Sequence, residues 1–373
     1  MKFSCNQDTF SKYLNIVSRV VATKPGLPIL SNVYFESKDG KLILKTTDLE
    51  LSITTWIGAD IKEDGAVTVP AKQLAEFVNS IPEERVDVDV VKESFNISTK
   101  NNSASFNTIP SEDFPVIPSV EKEEPLVEIK KEDLVTAVDR VAFASATDDI
   151  KPVLTGVKIE IEDGVAYFVS TDGLRLSRQS VKISKGVSKK SFLVPVRALL
   201  ELSYIISALD TDEEVVRIYT IDEKNQVLFR FADVDLISRI IDGEFPEYRQ
   251  IIPTGYKTRC FLKKSDFLNS IKIINIIARS VLGNKMILDI SSEENRILLS
   301  AVQSDLGKNQ SNFPCKVEGE SIKIAFSAKL LNDVLMHIDS EDIIFECSEA
   351  TRPGVFKIDG DDSFIHLVMP MML

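Results

Sequence analysis

The sequence predicts an α+β protein built from three copies of one domain. The segment Pro28–Val33 returns as Pro152–Val157, and Thr47–Leu51 returns as Thr171–Arg175, in both cases 124 residues later. This offset is about one third of the 373-residue chain, so each copy has the size of an ordinary domain. The length of the unit excludes solenoid repeats, whose period is roughly 20–50 residues.

Short acidic or proline-containing linkers divide the copies at 118–125 and 253–256. We therefore expect three domains, over residues 1–120, 126–252 and 256–373. Each of them again has ordinary single-domain size.

Each copy opens with a short strand that leads into an amphipathic helix. The strands are expected at 2–5, 126–129 and 259–262. Apolar residues then recur at helical spacing, which predicts one buried face for each helix. These stripes are Phe10, Leu14, Val17 and Val21 in the first copy, Leu134, Val138, Val141 and Ala142 in the second, and Phe267, Ile271, Ile274 and Ile277 in the third.

Strands joined by tight turns follow the first helix. Val33–Glu36 and Lys41–Leu44 flank an Asp-Gly pair, which is a hairpin signal. A second helix is expected near 71–80, 196–208 and 328–338, with more strands after it. The pattern predicts two helices on largely antiparallel sheets in each copy.

The composition is typical of a globular protein. Hydrophobic residues make up 44% of the chain and charged residues 27%, and no apolar run approaches the ~20 residues that cross a bilayer. The first residues lack the apolar region of a signal peptide, so we expect a cytoplasmic protein with no membrane partner. The four cysteines are scattered, which favours buried, inert thiols over a disulfide framework or a zinc site.

The formal net charge of −13 would repel a polyanion at long range. It argues against a nucleic-acid binder that relies on net positive charge.

The sequence carries no convincing pattern of a catalytic, metal or cofactor site, and we expect none of the three. Its two histidines, His337 and His366, have no metal-ligand partner at a recognisable spacing. The glycine motifs of dinucleotide and P-loop sites are absent. For Thr171–Gly173 we favour a strand-end turn, in which Asp172 accepts backbone hydrogen bonds, over an active-site loop, because Thr47–Leu49 holds the matching place in the first copy.

Several motifs together identify a family. They are Leu27–Leu30, Thr47–Glu50, Ser170–Gly173, Asp242–Arg249 and the terminal Met369–Leu373. In this order, and over the whole chain, they closely resemble the bacterial β sliding clamps.

The resemblance implies a non-enzymatic ring. Two chains would join head to tail as a homodimer and close six domains around double-stranded DNA, with sheets outside and helices lining the hole. Such a ring tethers the catalytic subunit of the replicative polymerase, and an ATP-driven clamp loader opens and closes it. Other polymerases and repair proteins bind it through short clamp-binding peptides.

This architecture answers the objection from net charge, because a sliding ring needs only weak, sequence-independent phosphate contacts. Basic residues on or beside the helices expected to face the hole are Lys12, Arg19, Lys72, Lys131, Arg140, Arg197, Lys264 and Lys272. The resemblance gives Lys24, Lys72, Asp148, Lys151, Pro152, Val153 and Arg197 as DNA-binding candidates. The segment 148–153 is more acidic and apolar than in relatives, and for each basic candidate a merely solvated side chain is an equal alternative.

The resemblance also implies an apolar peptide pocket between the second and third domains. Its residues are Leu154, Thr171, Gly173, Leu174, Arg175, Leu176, Pro246, Ile251, Val368, Met369, Pro370, Met371, Met372 and Leu373. Methionine gives such a pocket an adaptable surface. Leu174 replaces a histidine of some relatives, and Met372 stands where a basic residue often precedes the last leucine, so the pocket is more apolar here.

For the subunit contact, the resemblance implies that the third copy docks on the first. Ile276 and Ile277 would then meet the edge around Ala104 and Phe106. Packing of both isoleucines inside their own domain is the alternative.

Two other classes of protein remain as alternatives. A non-catalytic structural or surface-binding module would be expected to carry secretion signals or disulfides. An enzyme built on duplicated domains would need a catalytic cluster unique to one copy.

Overall fold

The computed structural model describes residues 1–22, 26–38, 40–120, 123–183, 185–186 and 189–373. These residues form two compact units. The first unit contains 1–131, 183–187 and 197–240, and the second contains 132–182, 188–196 and 241–373. The central copy therefore contributes to both units.

The described residues of the first third form two helices and nine strands. The strands are β1 (Lys2–Asn6), β2 (Asn32–Lys38), β3 (Lys41–Thr47), β4 (Leu51–Gly58), β5 (Asp60–Glu63), β6 (Gly65–Pro70), β7 (Arg85–Val91), β8 (Ser94–Ser98) and β9 (Ser103–Asn107), and the helices are α1 (Gln7–Ser18) and α2 (Ala71–Asn79).

The central third repeats the same order of elements. Its strands are β10 (Val127–Lys130), β11 (Gly156–Glu162), β12 (Val165–Thr171), β13 (Arg175–Lys182), β14 (Lys185–Gly186), β15 (Lys189–Pro195), β16 (Val215–Ile221), β17 (Gln226–Phe231) and β18 (Val234–Arg239), and its helices are α3 (Lys131–Ala142) and α4 (Val196–Ala208).

The last third completes the fold. Its strands are β19 (Thr258–Lys263), β20 (Lys285–Ser291), β21 (Arg296–Gln303), β22 (Gly307–Pro314), β23 (Lys316–Gly319), β24 (Ile322–Ser327), β25 (Asp342–Cys347), β26 (Gly354–Ile358) and β27 (Asp361–Val368), and its helices are α5 (Lys264–Ala278) and α6 (Ala328–Met336).

In the first unit, a nine-stranded sheet has the order β14-β10-β16-β17-β18-β4-β3-β2-β6, and a five-stranded sheet has the order β5-β1-β7-β8-β9. In the second unit, a nine-stranded sheet has the order β15-β11-β12-β13-β27-β26-β25-β19-β23, and a four-stranded sheet has the order β22-β21-β20-β24. Neighbouring strands in the two nine-stranded sheets run antiparallel, as the pattern predicted. In each of these sheets, strands of two different copies pair edge to edge, β4 with β18 and β13 with β27.

The predicted helices form for the predicted reasons. The stripe residues Phe10, Leu14 and Val17 of α1 are fully buried. The Asn6 side chain caps this helix by accepting the Thr9 N–H at 3.0 Å. Helix α6 ends at Met336, two residues before the expected end, because the backbone of the next residue leaves the helical region.

The expected hairpin near 37–40 is present, with Lys38 paired to Lys41 and Gly40 at a φ of 76°. Its Asp39 lies outside the described residues. Among the helices of the described ranges, none is both long enough and apolar enough to span a bilayer.

Candidate functional site

The predicted turn at 171–175 is held by its own side chains. Thr171 Oγ1 donates to the Arg175 carbonyl oxygen at 2.6 Å and accepts the Gly173 N–H at 3.0 Å. Asp172 Oδ1 accepts the N–H groups of Leu174 and Arg175 at 2.8 and 3.0 Å. The interpretation of Asp172 as a turn residue is therefore confirmed.

Arg175 is fixed under this turn by two carboxylates. Its guanidinium donates to Asp172 Oδ2 at 3.0 Å and to Asp333 Oδ2, on α6, at 2.7 Å. It also lies 5.4 Å from the centre of the Phe143 ring. Because these partners use much of its donor capacity, Arg175 acts mainly as a positioning residue for the turn.

The C-terminal tail begins beside the same turn. Strand β27 pairs with β13 as far as Val368, which lies opposite Arg175. One residue later, the Met369 N–H donates to the Leu174 carbonyl oxygen at 2.9 Å. The structure therefore brings the turn and the start of the tail together, as the resemblance implied.

A second backbone bond fixes the tail further along. The Met371 N–H donates to the Ala325 carbonyl oxygen at 2.8 Å. Gly283 lies so close to Met371 that a Cβ at that glycine would come 2.6 Å from the methionine Cε. Pro370 lies between the two anchored residues and restricts the backbone further.

The tail lines an apolar cavity of about 400 Å³. The lining residues are Ala350, Thr351, Met369, Pro370, Met371, Met372 and Leu373. Leu174, on the turn, is 59% exposed, and Met372 is 90% exposed. These side chains form a surface that can accept hydrophobic anchors of a partner.

Other predicted pocket residues are buried or lie on a neighbouring segment of the second unit. Leu154, Leu176 and Val368 are buried, and Leu176 packs in an apolar cluster with Phe245 and Tyr248. Pro246 and Ile251, on the segment that covers this cluster, are exposed.

The DNA-binding candidates differ in exposure and in ion pairing. Lys72, on α2, and Lys151 are exposed, whereas Lys24 lies outside the described residues. Arg197 is also exposed and forms an ion pair with Asp48 at 2.6 Å. Of these candidates, Lys72 and Lys151 are the best suited to contact phosphate, because no described residue pairs with their charge.

The segment 148–153 is partly structural. The exposed Asp148 accepts the Ile150 N–H at 3.1 Å. Pro152 is exposed and starts a single helical turn, and Val153 packs against the apolar cluster that contains Leu176. The side chain of Val153 is therefore less available for DNA than expected.

Arg140, one of the basic residues on or beside the helices expected to face the hole, is not an exposed side chain. This side chain is buried and donates to Gln179 at 3.0 Å, to Asp339 at 2.7 Å and to Asp361 at 3.1 Å. The Arg140 guanidinium hydrogen bond lowers the pKa of Asp339. A buried cation needs such partners, and these hydrogen bonds join α3 to β13 and to the last third of the chain.

Two of the expected subunit contacts lie on a sheet edge and the other two on helix α5. Ala104 and Phe106 belong to β9, the edge of the five-stranded sheet, and Phe106 packs edge to face on Phe77 with 6.0 Å between ring centroids. Ile276 is 62% exposed, but Ile277 packs against the core of the second unit. The alternative of internal packing therefore applies to Ile277.

The four cysteines are free and buried, as predicted. Burial raises the pKa of Cys5, and of Cys347, to about 12. In the part of the chain that the structure describes, no group of three or more His, Cys, Asp or Glu side chains could hold a metal ion.

Family models of the DNA polymerase III beta subunit match three successive segments. The N-terminal domain model matches residues 1–118, the central domain model 128–247 and the C-terminal domain model 249–372. The chain belongs to the DNA polymerase III beta subunit family. Members of this family are the bacterial β sliding clamps, so the resemblance stated from the motifs is confirmed.

Individual beta subunits agree with this assignment over their full length. The beta sliding clamp of Synechococcus elongatus is 30% identical, with 100% of both chains covered. The crystal structure of the beta subunit from Thermotoga maritima, 27% identical, has a TM-score of 0.92 over 100% of this chain and 99% of its own. The sliding clamp of Pseudomonas aeruginosa bound to griselimycin, 25% identical, also has a TM-score of 0.92, with 100% of both chains covered.

Membership in the beta subunit family favours a sliding clamp over a structural or surface-binding module and over an enzyme. The predicted α+β fold of three clamp domains is confirmed. The chain is a DNA sliding clamp, a processivity subunit that is not itself an enzyme.

The sequence reasoning missed three residues of the site. Asp333 fixes Arg175, and Ala350 and Thr351 line the cavity beside the tail. Asp333 is 158 residues from Arg175 along the chain, and no local pattern marks any of the three.

Proposed function

We propose that two copies of this chain close a six-domain ring around double-stranded DNA in the cytoplasm. The ring tethers the catalytic subunit of the replicative polymerase, and other polymerases and repair proteins, through short peptides bound beside Leu174 and the tail. A clamp loader places the ring on DNA. The observation that carries the peptide-binding role is the joint between Leu174 and Met369, where exposed apolar side chains stand on a fixed backbone.

Two features support closure through the subunit edges. Strand β9 is the open edge of one sheet and β22 is the open edge of another, so each offers unpaired backbone groups to a second chain. Ile273 and Ile276, on the helix that packs against β22, are 48% and 62% exposed. In a head-to-tail dimer these residues would be covered.

Exposed lysines support a weak interaction with DNA. Lys12, Lys72 and Lys272 lie on helices and point to solvent. Phosphate contacts from such side chains are independent of base sequence and weaken as salt rises. Retention on DNA then depends on ring closure rather than on tight binding.

The decisive experiment compares DNA topologies. After loading, the protein should stay on circular DNA and be lost from the same DNA once it is linearised. Equal loss from the two forms contradicts the ring.

The peptide site is tested by titration with a short peptide that carries a glutamine and paired hydrophobic anchors. Met369→Ala and Leu174→Ala should each weaken binding several-fold, because each removes exposed apolar surface. Glu50→Ala, at the position equivalent to Leu174 in the first copy, is the matched control and should bind like the parent. Unchanged affinity in both pocket variants contradicts the site.

The dimer contact is best tested with Ile276→Asp alone, since Ile277 belongs to the core. Sedimentation should show a shift toward monomer for this variant. Val116→Asp, which changes a residue that is 90% exposed in the first unit, should stay dimeric.

A further inference from the structure

A second cavity, of about 290 Å³, lies in the second unit on the sheet face that carries Leu176. Its lining residues are Tyr167, Arg178, Tyr248, Arg249, Ile252, Pro253 and Thr254. Arg178 follows Leu176 by two positions on β13, so the two side chains share a face of the sheet. The Tyr167 ring has two guanidinium groups, those of Arg178 and Arg249, each 5.7 Å from its centre.

The charges around this cavity do not balance. Arg249 pairs with Glu162 at 2.8 Å and with Glu160 at 3.6 Å, and Lys158 pairs with Glu160 at 2.8 Å. Lys189 also lies 4.0 Å from Glu162, so these two carboxylates already face three cations. Arg178 adds a fourth.

Arg178 has no hydrogen-bond or ion-pair partner among the described residues. Its Nε is buried, although a guanidinium N–H in such a place normally donates to an acceptor. Tyr248 does not compensate, because its hydroxyl donates to Glu160 at 2.5 Å. Burial and this hydrogen bond raise the pKa of Tyr248 to about 12, so the phenol stays neutral.

A ligand for this cavity should be an oxyanion. A carboxylate can accept two parallel N–H bonds from a guanidinium fork, which is the strongest pairing available to Arg178. The apolar part of the lining, from Ile252, Pro253 and the Tyr167 ring, suits the short aliphatic stem of an acidic side chain.

The position of the cavity indicates where that carboxylate comes from. Two residues along a strand span about 7 Å, so Arg178 lies close to Leu176. Leu176 packs below the proposed peptide site, in one cluster with Tyr248 and Ile252. We propose that the Arg178 cavity binds an acidic side chain in the segment that flanks the hydrophobic anchors of a docked peptide. This inference rests on the proposed peptide-binding function.

The test uses the full-length chain and two sets of peptides with the same glutamine and hydrophobic anchors. One set has glutamate at the residues flanking the anchors on either side, and the other has glutamine there. In about 50 mM salt, a glutamate-flanked peptide should bind the parent roughly two- to fivefold more tightly, the range expected for one partly exposed ion pair. In about 0.5 M salt the preference should shrink, because charges are screened.

Arg178→Gln should remove the preference for glutamate while leaving the affinity for the glutamine-flanked peptides unchanged. Arg178→Lys keeps the charge and should retain part of the preference. Arg85→Gln, a loss of one exposed arginine in the first unit, is the matched control and should behave like the parent. Denaturation midpoints of the variants show that the fold is kept.

Three results overturn the inference. One is an equal preference for glutamate in the parent and in Arg178→Gln, and another is no preference in the parent. The third is binding of inorganic phosphate at this cavity, seen by NMR, without any effect of the peptide flanks, which would make it a site for free anions. If neither kind of peptide binds the parent, the proposed peptide-binding function itself fails, and that outcome is distinct from the three above.

Discussion

The turn at 47–51 in the first copy and the turn at 171–175 in the second share one scaffold. Thr47 Oγ1 donates to the Leu51 carbonyl oxygen at 3.0 Å and accepts the Leu49 N–H at 3.0 Å. Asp48 Oδ1 accepts the N–H groups of Glu50 and Leu51 at 3.1 and 2.8 Å. These are the bonds that Thr171 and Asp172 make 124 residues later.

Each turn accepts a backbone hydrogen bond from the end of a neighbouring strand, β18 at the first turn and β27 at the second. The Arg239 N–H donates to the Glu50 carbonyl oxygen at 3.0 Å, just as the Met369 N–H donates to that of Leu174 at 2.9 Å. The side chains differ completely. Glu50 and Arg239 form an exposed ion pair at 3.1 Å, whereas Leu174 and Met369 present apolar surface.

This difference shows that the repeat preserves the backbone geometry of the turn but not the chemistry of the side chains that it exposes. A hydrogen-bonded turn fixes where two side chains stand, and their chemistry then decides whether a hydrophobic partner can dock. Variants that exchange or remove the groups that differ between the Glu50–Arg239 and Leu174–Met369 joints test this division.

The largest effect is expected at Leu176, whose counterpart in the first copy is Ser52. Leu176 is 1% exposed and packs with Phe245 and Leu367. Leu176→Ser should lower the free energy of unfolding by about 2–5 kcal/mol, because it leaves a cavity and buries a hydroxyl. Denaturation in urea measures this. Ser52→Ala, which removes only a hydrogen bond to Thr47, should cost at most about 1.5 kcal/mol, and a larger loss there would contradict the contrast.

The second effect depends on pH and concerns His366. Its counterpart on β18 is Leu236, just as Arg239 is the counterpart of Met369. His366 is fully buried, and its Nδ1 lies 2.6 Å from the Ser177 hydroxyl. Burial, and to a smaller extent the charge of Arg175, lower the pKa of this histidine well below 6.5. Below pH 6.5 the unfolded chain therefore binds a proton that the native chain does not. Stability should fall as pH decreases, by up to about 1.4 kcal/mol per pH unit.

Replacing this histidine with leucine, the residue at the equivalent place in the first unit, isolates its contribution. His366→Leu should flatten the pH dependence between about pH 6.5 and 4.5, as followed by urea denaturation at each pH. His337→Leu, a change of the other histidine, which is half-exposed, is the control and should keep the steep dependence. The same slope in His366→Leu and in the parent contradicts the assignment.

The third prediction exchanges the side chains of the two joints, Leu174 and Met369 in one and Glu50 and Arg239 in the other. Leu174→Glu/Met369→Arg should weaken a hydrophobic peptide tenfold or more, equivalent to about 1.4 kcal/mol, while the fold stays intact. The reciprocal Glu50→Leu/Arg239→Met should leave peptide affinity unchanged and alter stability by no more than about 1 kcal/mol, since an exposed ion pair contributes little. Titration calorimetry gives affinity and stoichiometry, and an unchanged affinity in the first variant would refute the role of the joint.

Local features of the fold could be predicted from the sequence. The role of Asp172 follows from its own neighbours, because an Asp at a strand end accepts the next backbone N–H groups. Helix α1 follows from its apolar stripe. The repeat supports the role of Asp172, since the same pattern occurs at Asp48.

Long-range partners could not be predicted. The periodicity of α3 marks Arg140 as polar, and a helical pattern does not show whether a polar face is covered. Its partners Asp339 and Asp361 lie about 200 residues away along the chain. Asp333, which binds Arg175 from α6, and Ala350, in the cavity wall, could not be predicted either, because no local pattern marks them.

The smallest effect is expected at the turn position that is leucine in the first copy and glycine in the second. Leu49 has a φ of 79°, and Gly173, at the same turn position, has a φ of 89°. A leucine in this region is strained, while glycine is not. Gly173→Leu should therefore lower the free energy of unfolding by about 1 kcal/mol. A Cβ at Gly173 would meet no atom within 4 Å, so this cost comes from the backbone alone.

The reverse change should have almost no net effect. Leu49→Gly relieves the strain, but glycine loses about 0.5–1 kcal/mol more on folding through backbone entropy. Urea denaturation gives the free energy of unfolding of both variants. Amide exchange at Leu51 and Arg175 reports whether each turn still forms. Loss of the turn in Gly173→Leu would contradict the shared scaffold, because the first copy already builds that turn with leucine in this position.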